Sequence, residues 1–156
     1  MTNKPIRALD VPAVTGQTIY PAEFARVVAG RNKRKLGDCF GLQNFGVNLT
    51  TLAPGAASAL FHCHAVQDEF VYVLEGRPTL MFGERAYELA PGECIGFTAG
   101  TGLGHQLVNR TDEIVSYLEI GDRTPGEQVT YPQDDIAAVL GPDGAWIVTR
   151  KDGSAF

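Results

Sequence analysis

From residue 40 onward the chain is a succession of short apolar runs, each closed by Gly, Pro, Asn or Asp. The runs predict strands over 44–53, 60–65, 68–75, 78–82, 85–89, 94–98, 105–109, 114–120, 127–131 and 146–150. Many short strands at regular spacing predict an all-β sandwich or barrel. Turn signals at Gly83-Glu84 and Pro91-Gly92 fit antiparallel hairpins. The first 40 residues read differently. Residues 1–17 carry no periodicity and predict an extended arm. In residues 21–29, Phe24, Val27 and Val28 fall on one helical face, Pro21 suits the first helical position and Gly30 suits the stop, so a short helix is expected. The basic run RNKRK at 31–35 reads as a solvated loop, or more sharply as a site for an anionic ligand or a partner's acidic surface. The expected organisation is one domain: an arm with a short helix over 1–39, packing on a barrel over 40–156.

Residues 70–74, Phe-Val-Tyr-Val-Leu, are apolar on both faces, where a barrel strand with water outside should alternate. The outer face is therefore expected to lie under the N-terminal arm or a second subunit, since about 25 cal/mol per Å² of apolar area is otherwise left in water. Alternation places Val71 and Val73 inside, Leu60 beside His62 and Leu107 beside His105, with Phe61 and Tyr72 on outer faces. The expected pocket is mostly apolar, with these histidines at one end.

Composition narrows the function classes. The 156 residues are 44% hydrophobic and 20% charged with a formal net charge of −5, which fits one soluble globular domain and offers no basic stripe for nucleic acid. Three cysteines (Cys39, Cys63 and Cys94) without a paired framework point to a reducing compartment. No apolar run is long enough for a signal peptide or a membrane helix. A cytoplasmic protein is the expectation.

The candidate chemistry lies between Gly55 and Gly76. His62 and His64 are two apart on a strand, so both imidazoles share a face and Cys63 turns away, as a small core residue. Glu69 opens the next strand, and antiparallel pairing of that strand with the first would return it level with the histidines. His105 begins a later strand after a glycine-rich loop. Three imidazoles and a carboxylate suit Fe(II), Mn(II), Ni(II), Zn(II) or Cu(II). Asp68 is expected to cap the turn and Asn109 to serve as a structural hydrogen-bonder. Gly100, Gly102 and Gly104 suit a tight loop with positive φ. Tyr87, Tyr117, Glu84 and Glu119 are possible pocket acids or bases whose facing the sequence leaves open.

Gly55, His62, His64, Glu69 and Gly76 resemble the first motif of the cupin superfamily, with one extra residue between Gly55 and His62. Gly83, Pro91-Gly92, His105 and Asn109 resemble the second motif more loosely, with a longer insertion before His105. The resemblance spans roughly residues 42–120. It implies a double-stranded β-helix (a jelly-roll barrel), one divalent metal on His62, His64, Glu69 and His105, and a homodimer. It also implies a metal-dependent enzyme acting on a small organic molecule, of oxygenase, isomerase or lyase type. A non-catalytic module binding a sugar or organic acid is the alternative, and a structural role fits an intact ligand set least.

Overall fold

Residues 2–156 are described by the computed structural model. The strands are β1 (Val14–Thr15), β2 (Arg31–Lys35), β3 (Phe45–Leu52), β4 (Cys63–His64), β5 (Glu69–Glu75), β6 (Thr79–Phe82), β7 (Arg85–Glu88), β8 (Cys94–Phe97), β9 (His105–Val108), β10 (Val115–Asp122), β11 (Gln128–Thr130), β12 (Ala137–Leu140) and β13 (Trp146–Thr149). Every ladder is antiparallel. One sheet has the order β1-β2-β3-β10-β5-β8. Facing it are β13-β12-β11-β4 and β7-β6-β9, joined edge to edge by bridges at His62–His105 and Ala57–Val108. The result is the expected jelly roll.

Between the layers lies an apolar core of Leu52, Val71, Leu80, Phe97, Leu107, Val115 and Tyr117. Val71 and Val73 are fully buried, as alternation requires, whereas Phe70, Tyr72 and Leu74 stay exposed on the other face. A second cluster of Leu60, Val129, Tyr131, Ile136 and Ala138 is capped by Phe24 and Val27. The predicted helix is a single α-helical turn, α1 (Ala22–Ala25), running into a 3₁₀ turn over Arg26–Val28. Nine residues offer too few internal hydrogen bonds for more, so burial of that apolar face holds it.

Several expectations are corrected. The basic run is a strand, not a loop: β2 pairs with both β1 and β3. Its pattern lacks an apolar face because its inner side borders a polar cavity. Residues 36–40 form an unpredicted helix, α2 (Leu36–Phe40), closed by Gly41 at φ 71°. β12 was also missed, since an Ala-rich apolar run has no decisive period. Phe61 does point away from the interior face, yet it is buried under the 98–104 loop. There, a Cβ on Gly104 would fall 2.3 Å from the Phe61 ring. Gly100 and Gly102 have positive φ as expected, but Gly104 is set by this close approach instead. Cys63 is half-buried and not a core residue. The arm runs along β2, pairing with it through β1 and accepting at the Val11 carbonyl from Arg34, and the outer face of β5 stays exposed.

Candidate metal centre

The site begins as a backbone pairing. His62 and His105 sit opposite each other and exchange both hydrogen bonds, N–H to O at 3.1 and 2.8 Å. Opposed residues project side chains to the same face, and the two ring centroids lie 4.5 Å apart. His64, two residues on, shares that face. Glu69 arrives from the opposite sheet. β5 does not pair with β4, contrary to the sequence expectation; it pairs with β10 and β8, while β4 pairs with β11. The carboxylate therefore meets the imidazoles across the sandwich and not along a ladder.

Glu69 Oε2 stands 3.3 Å from His64 Nε2 and 3.4 Å from His105 Nε2. One ligand atom from each of His62, His64, Glu69 and His105 falls within 4.8 Å of all the others. All four predicted residues are thus brought together. The rings are oriented from behind. His62 Nδ1 lies 2.8 Å from the Leu60 carbonyl; as the donor there, it leaves Nε2 with a free lone pair. His64 Nδ1 faces Glu127 Oε1 at 3.6 Å. Phe97 stacks on His105 at 3.7 Å, nearly parallel.

Electrostatics follow from this packing. Burial and then the neighbouring His105 lower His62 to about 3, so it stays neutral. Burial pulls His64 down as well, but the Glu69 and then the Glu127 carboxylates more than offset it and leave its pKa raised. Burial would raise Glu69, yet His105 and His64 hold it well below the ordinary carboxylate range. Both ring nitrogens of His64 and of His105 are buried with no hydrogen-bond partner. Buried polar atoms are rarely left so. Lone pairs gathered on one point with a carboxylate are what a divalent ion satisfies, so these residues fit a metal.

Glu127 escaped sequence analysis. Its fully buried carboxylate accepts from the backbone N–H groups of Ala65, Val66 and Gln67. It thereby shapes the turn linking His64 to Glu69. Nothing local marks it, because it lies some sixty residues downstream of the turn it holds. Asp68 does not cap that turn; it accepts from the Ala99 N–H at 2.8 Å and ties down the 98–104 loop. Asn109 is structural as expected, fully buried and donating to the carbonyls of Leu52 and Glu113.

A cupin-domain family model matches residues 48–121. A sugar phosphate isomerase of the cupin superfamily from Silicibacter pomeroyi DSS-3 is 39% identical, with a TM-score of 0.92 over 98% of this chain and 96% of that one. The chain belongs to the cupin superfamily. A protein provisionally named a sugar phosphate isomerase, from Acidithiobacillus ferrooxidans, is 31% identical, with a TM-score of 0.72 over 81% of this chain and 80% of that one. A polyketide cyclase from Streptomyces resistomycificus, 23% identical with a TM-score of 0.64 over 78% of this chain and 80% of that one, shares the fold. No curated protein sequence matches.

In this cupin the site opens into a cavity of about 500 Å³, lined in part by Tyr20, Arg31, Lys33, Glu119, Tyr131 and Trp146. The expected apolar pocket is instead polar. Val71 and Leu107 belong to the sealed core, and the strand RNKRK supplies the cavity wall. The candidate acids and bases separate cleanly. Glu84 and Tyr87 are exposed at the β6–β7 hairpin, and Tyr117 is buried in the core. Glu119 reaches the cavity, where it accepts from Lys33 Nζ at 2.6 Å and from Asn48 Nδ2 at 3.1 Å.

Proposed function

We propose that this cupin is a metal-dependent isomerase acting on a small phosphorylated sugar, with one divalent transition metal (Fe, Mn, Ni, Zn or Cu) on His62, His64, Glu69 and His105. The observation that carries the reading is the convergence of four ligand atoms, with unpartnered buried imidazoles among them, at the end of a polar cavity. The two sugar phosphate isomerase relatives support the reaction class. When bound, such an ion acts as a Lewis acid toward a substrate oxygen.

The remaining work falls to side chains. Isomerisation needs a group that takes a proton from one carbon and returns it to the neighbouring one. Among the described residues, the carboxylates lining the cavity are Glu69 and Glu119. With Glu69 held by the metal, Glu119 is the base. It lies opposite Val71 in the β10–β5 ladder, and Val71 is two residues from Glu69 on the same face. The hydrogen bonds from Lys33 and Asn48 fix its carboxylate. The protein acts as a homodimer through the outer face of β5, where Phe70, Tyr72 and Leu74 are exposed. No helix among the described residues is long and apolar enough to cross a membrane.

Incubation of the purified protein with a panel of aldose and ketose phosphates, followed by NMR, should show one pair interconverting. Glu119→Gln should lower kcat by about 100-fold or more. His62→Ala should strip the metal, read by elemental analysis, and leave the circular dichroism spectrum intact. A panel member bound tightly but never altered would favour the non-catalytic binding module.

A further inference from the structure

β2 runs along the cavity with its basic residues in alternation. Arg31, Lys33 and Lys35 line the cavity, whereas Arg34 turns outward to the Val11 carbonyl. The register agrees: Arg31, Lys33 and Lys35 stand opposite Leu52, Thr50 and Asn48, on the face shared with Tyr117 and Glu119. Exposure rises along the strand, from Arg31 at 8% through the half-buried Lys33 to the exposed Lys35. A track of positive charge thus runs from the mouth inward, in a protein whose net charge is −5. Low-dielectric walls focus such a field on an entering anion.

Arg31 is the telling residue. A buried guanidinium is costly unless it is paired and hydrogen-bonded. Arg31 donates to the backbone carbonyls of Ser58 and Gln17. Among the described residues, no carboxylate comes within salt-bridge range of it. A guanidinium carries five N–H donors, so those not spent on the two carbonyls remain for a ligand. Glu119 offsets one ammonium through its pair with Lys33. Along this wall, with Glu69 assigned to the metal ligands, three cations against the single carboxylate of Glu119 leave two positive charges, the complement of a phosphate monoester, which carries about −1.5 to −2 at neutral pH.

We propose that the β2 wall is a phosphate subsite, in which Arg31, Lys33 and Lys35 hold the phosphate of the substrate while its remaining part faces His62, His64, Glu69 and His105. The subsite rests on the isomerase reading only for the identity of the attached sugar. Phosphate binding itself is independent of turnover.

The test is titration of the purified protein with inorganic phosphate by isothermal calorimetry at constant ionic strength. The wild type should bind at a single site. The double variant Lys33→Gln/Lys35→Gln should bind about tenfold more weakly or worse, because two charge-assisted contacts go and Glu119 is left unscreened beside the anion. Glu119→Gln should tighten binding by releasing Lys33. Arg31→Lys probes the deepest cation, and the two lysine changes, at accessible positions, keep the test alive if that variant does not fold. A wild type that ignores phosphate, or a double variant that binds it equally well, overturns the subsite. An active isomerase with variant-insensitive phosphate binding would sink the subsite alone. An inactive protein with variant-sensitive binding would sink the isomerase alone.

Discussion

His64 sits between two carboxylates, Glu69 on its Nε2 side and Glu127 on its Nδ1 side. Its raised pKa has a direct consequence for metal uptake. A ring whose pKa is raised keeps its proton to higher pH than a free imidazole, and a metal must displace that proton. His62, at about 3, has none to give. Metal binding near neutral pH should therefore release a proton from His64 and none from His62. Apparent affinity should rise with pH, by up to about tenfold per pH unit, until that proton is gone. Calorimetry of the chelator-treated protein in buffers of different ionisation enthalpy would read the proton count. An affinity that does not change with pH through neutrality would contradict the assignment.

At the level of elements, the candidate metal centre depends on a turn and on a bridge. The turn between β4 and β5 is held by the buried Glu127, whose oxygens take three consecutive backbone N–H groups. Glu127→Gln is close in size but removes the negative charge behind His64 and sets an NH2 donor against at least one of the backbone N–H groups the carboxylate accepts from. Groups behind metal ligands typically carry 10–100-fold in affinity. The variant should bind metal about tenfold more weakly and also melt below wild type, because at least one buried N–H loses its acceptor at a cost of about 1–3 kcal/mol, as measured by competition with a chromophoric chelator and by thermal unfolding. Unchanged affinity would reduce Glu127 to a support for the turn. The hairpin between β6 and β7 was readable beforehand, since Gly83 at φ 57° takes the first central position that a type II′ turn reserves for glycine.

For the whole molecule, the open face of the larger sheet is the unfinished surface. Phe70, Tyr72 and Leu74 are 37%, 38% and 44% exposed, and the arm, one candidate cover, pairs through β1 with the edge of β2 instead. In the proposed homodimer a second subunit would cover this apolar face. Tyr72→Glu should place a charge in that contact and shift the protein toward a monomer in sedimentation velocity, with the cavity and its metal content unchanged. A wild type that sediments as a monomer at micromolar concentration would refute the dimer.

The sequence by itself determined whatever is written in local alternation: most of the strands, the shared face of His62 and His64, the inward course of Val71 and Val73, and the turn glycines. Period-two patterning is a property of a single strand and survives without knowledge of its neighbours. Tertiary structure alone decided which strands meet. It placed Glu69 on the sheet opposite the histidines, brought Glu127 behind His64, and turned a basic run with no apolar face into a cavity wall. Those outcomes depend on contacts between segments tens of residues apart, and a polar strand facing a cavity carries no local signal to distinguish it from a loop in water.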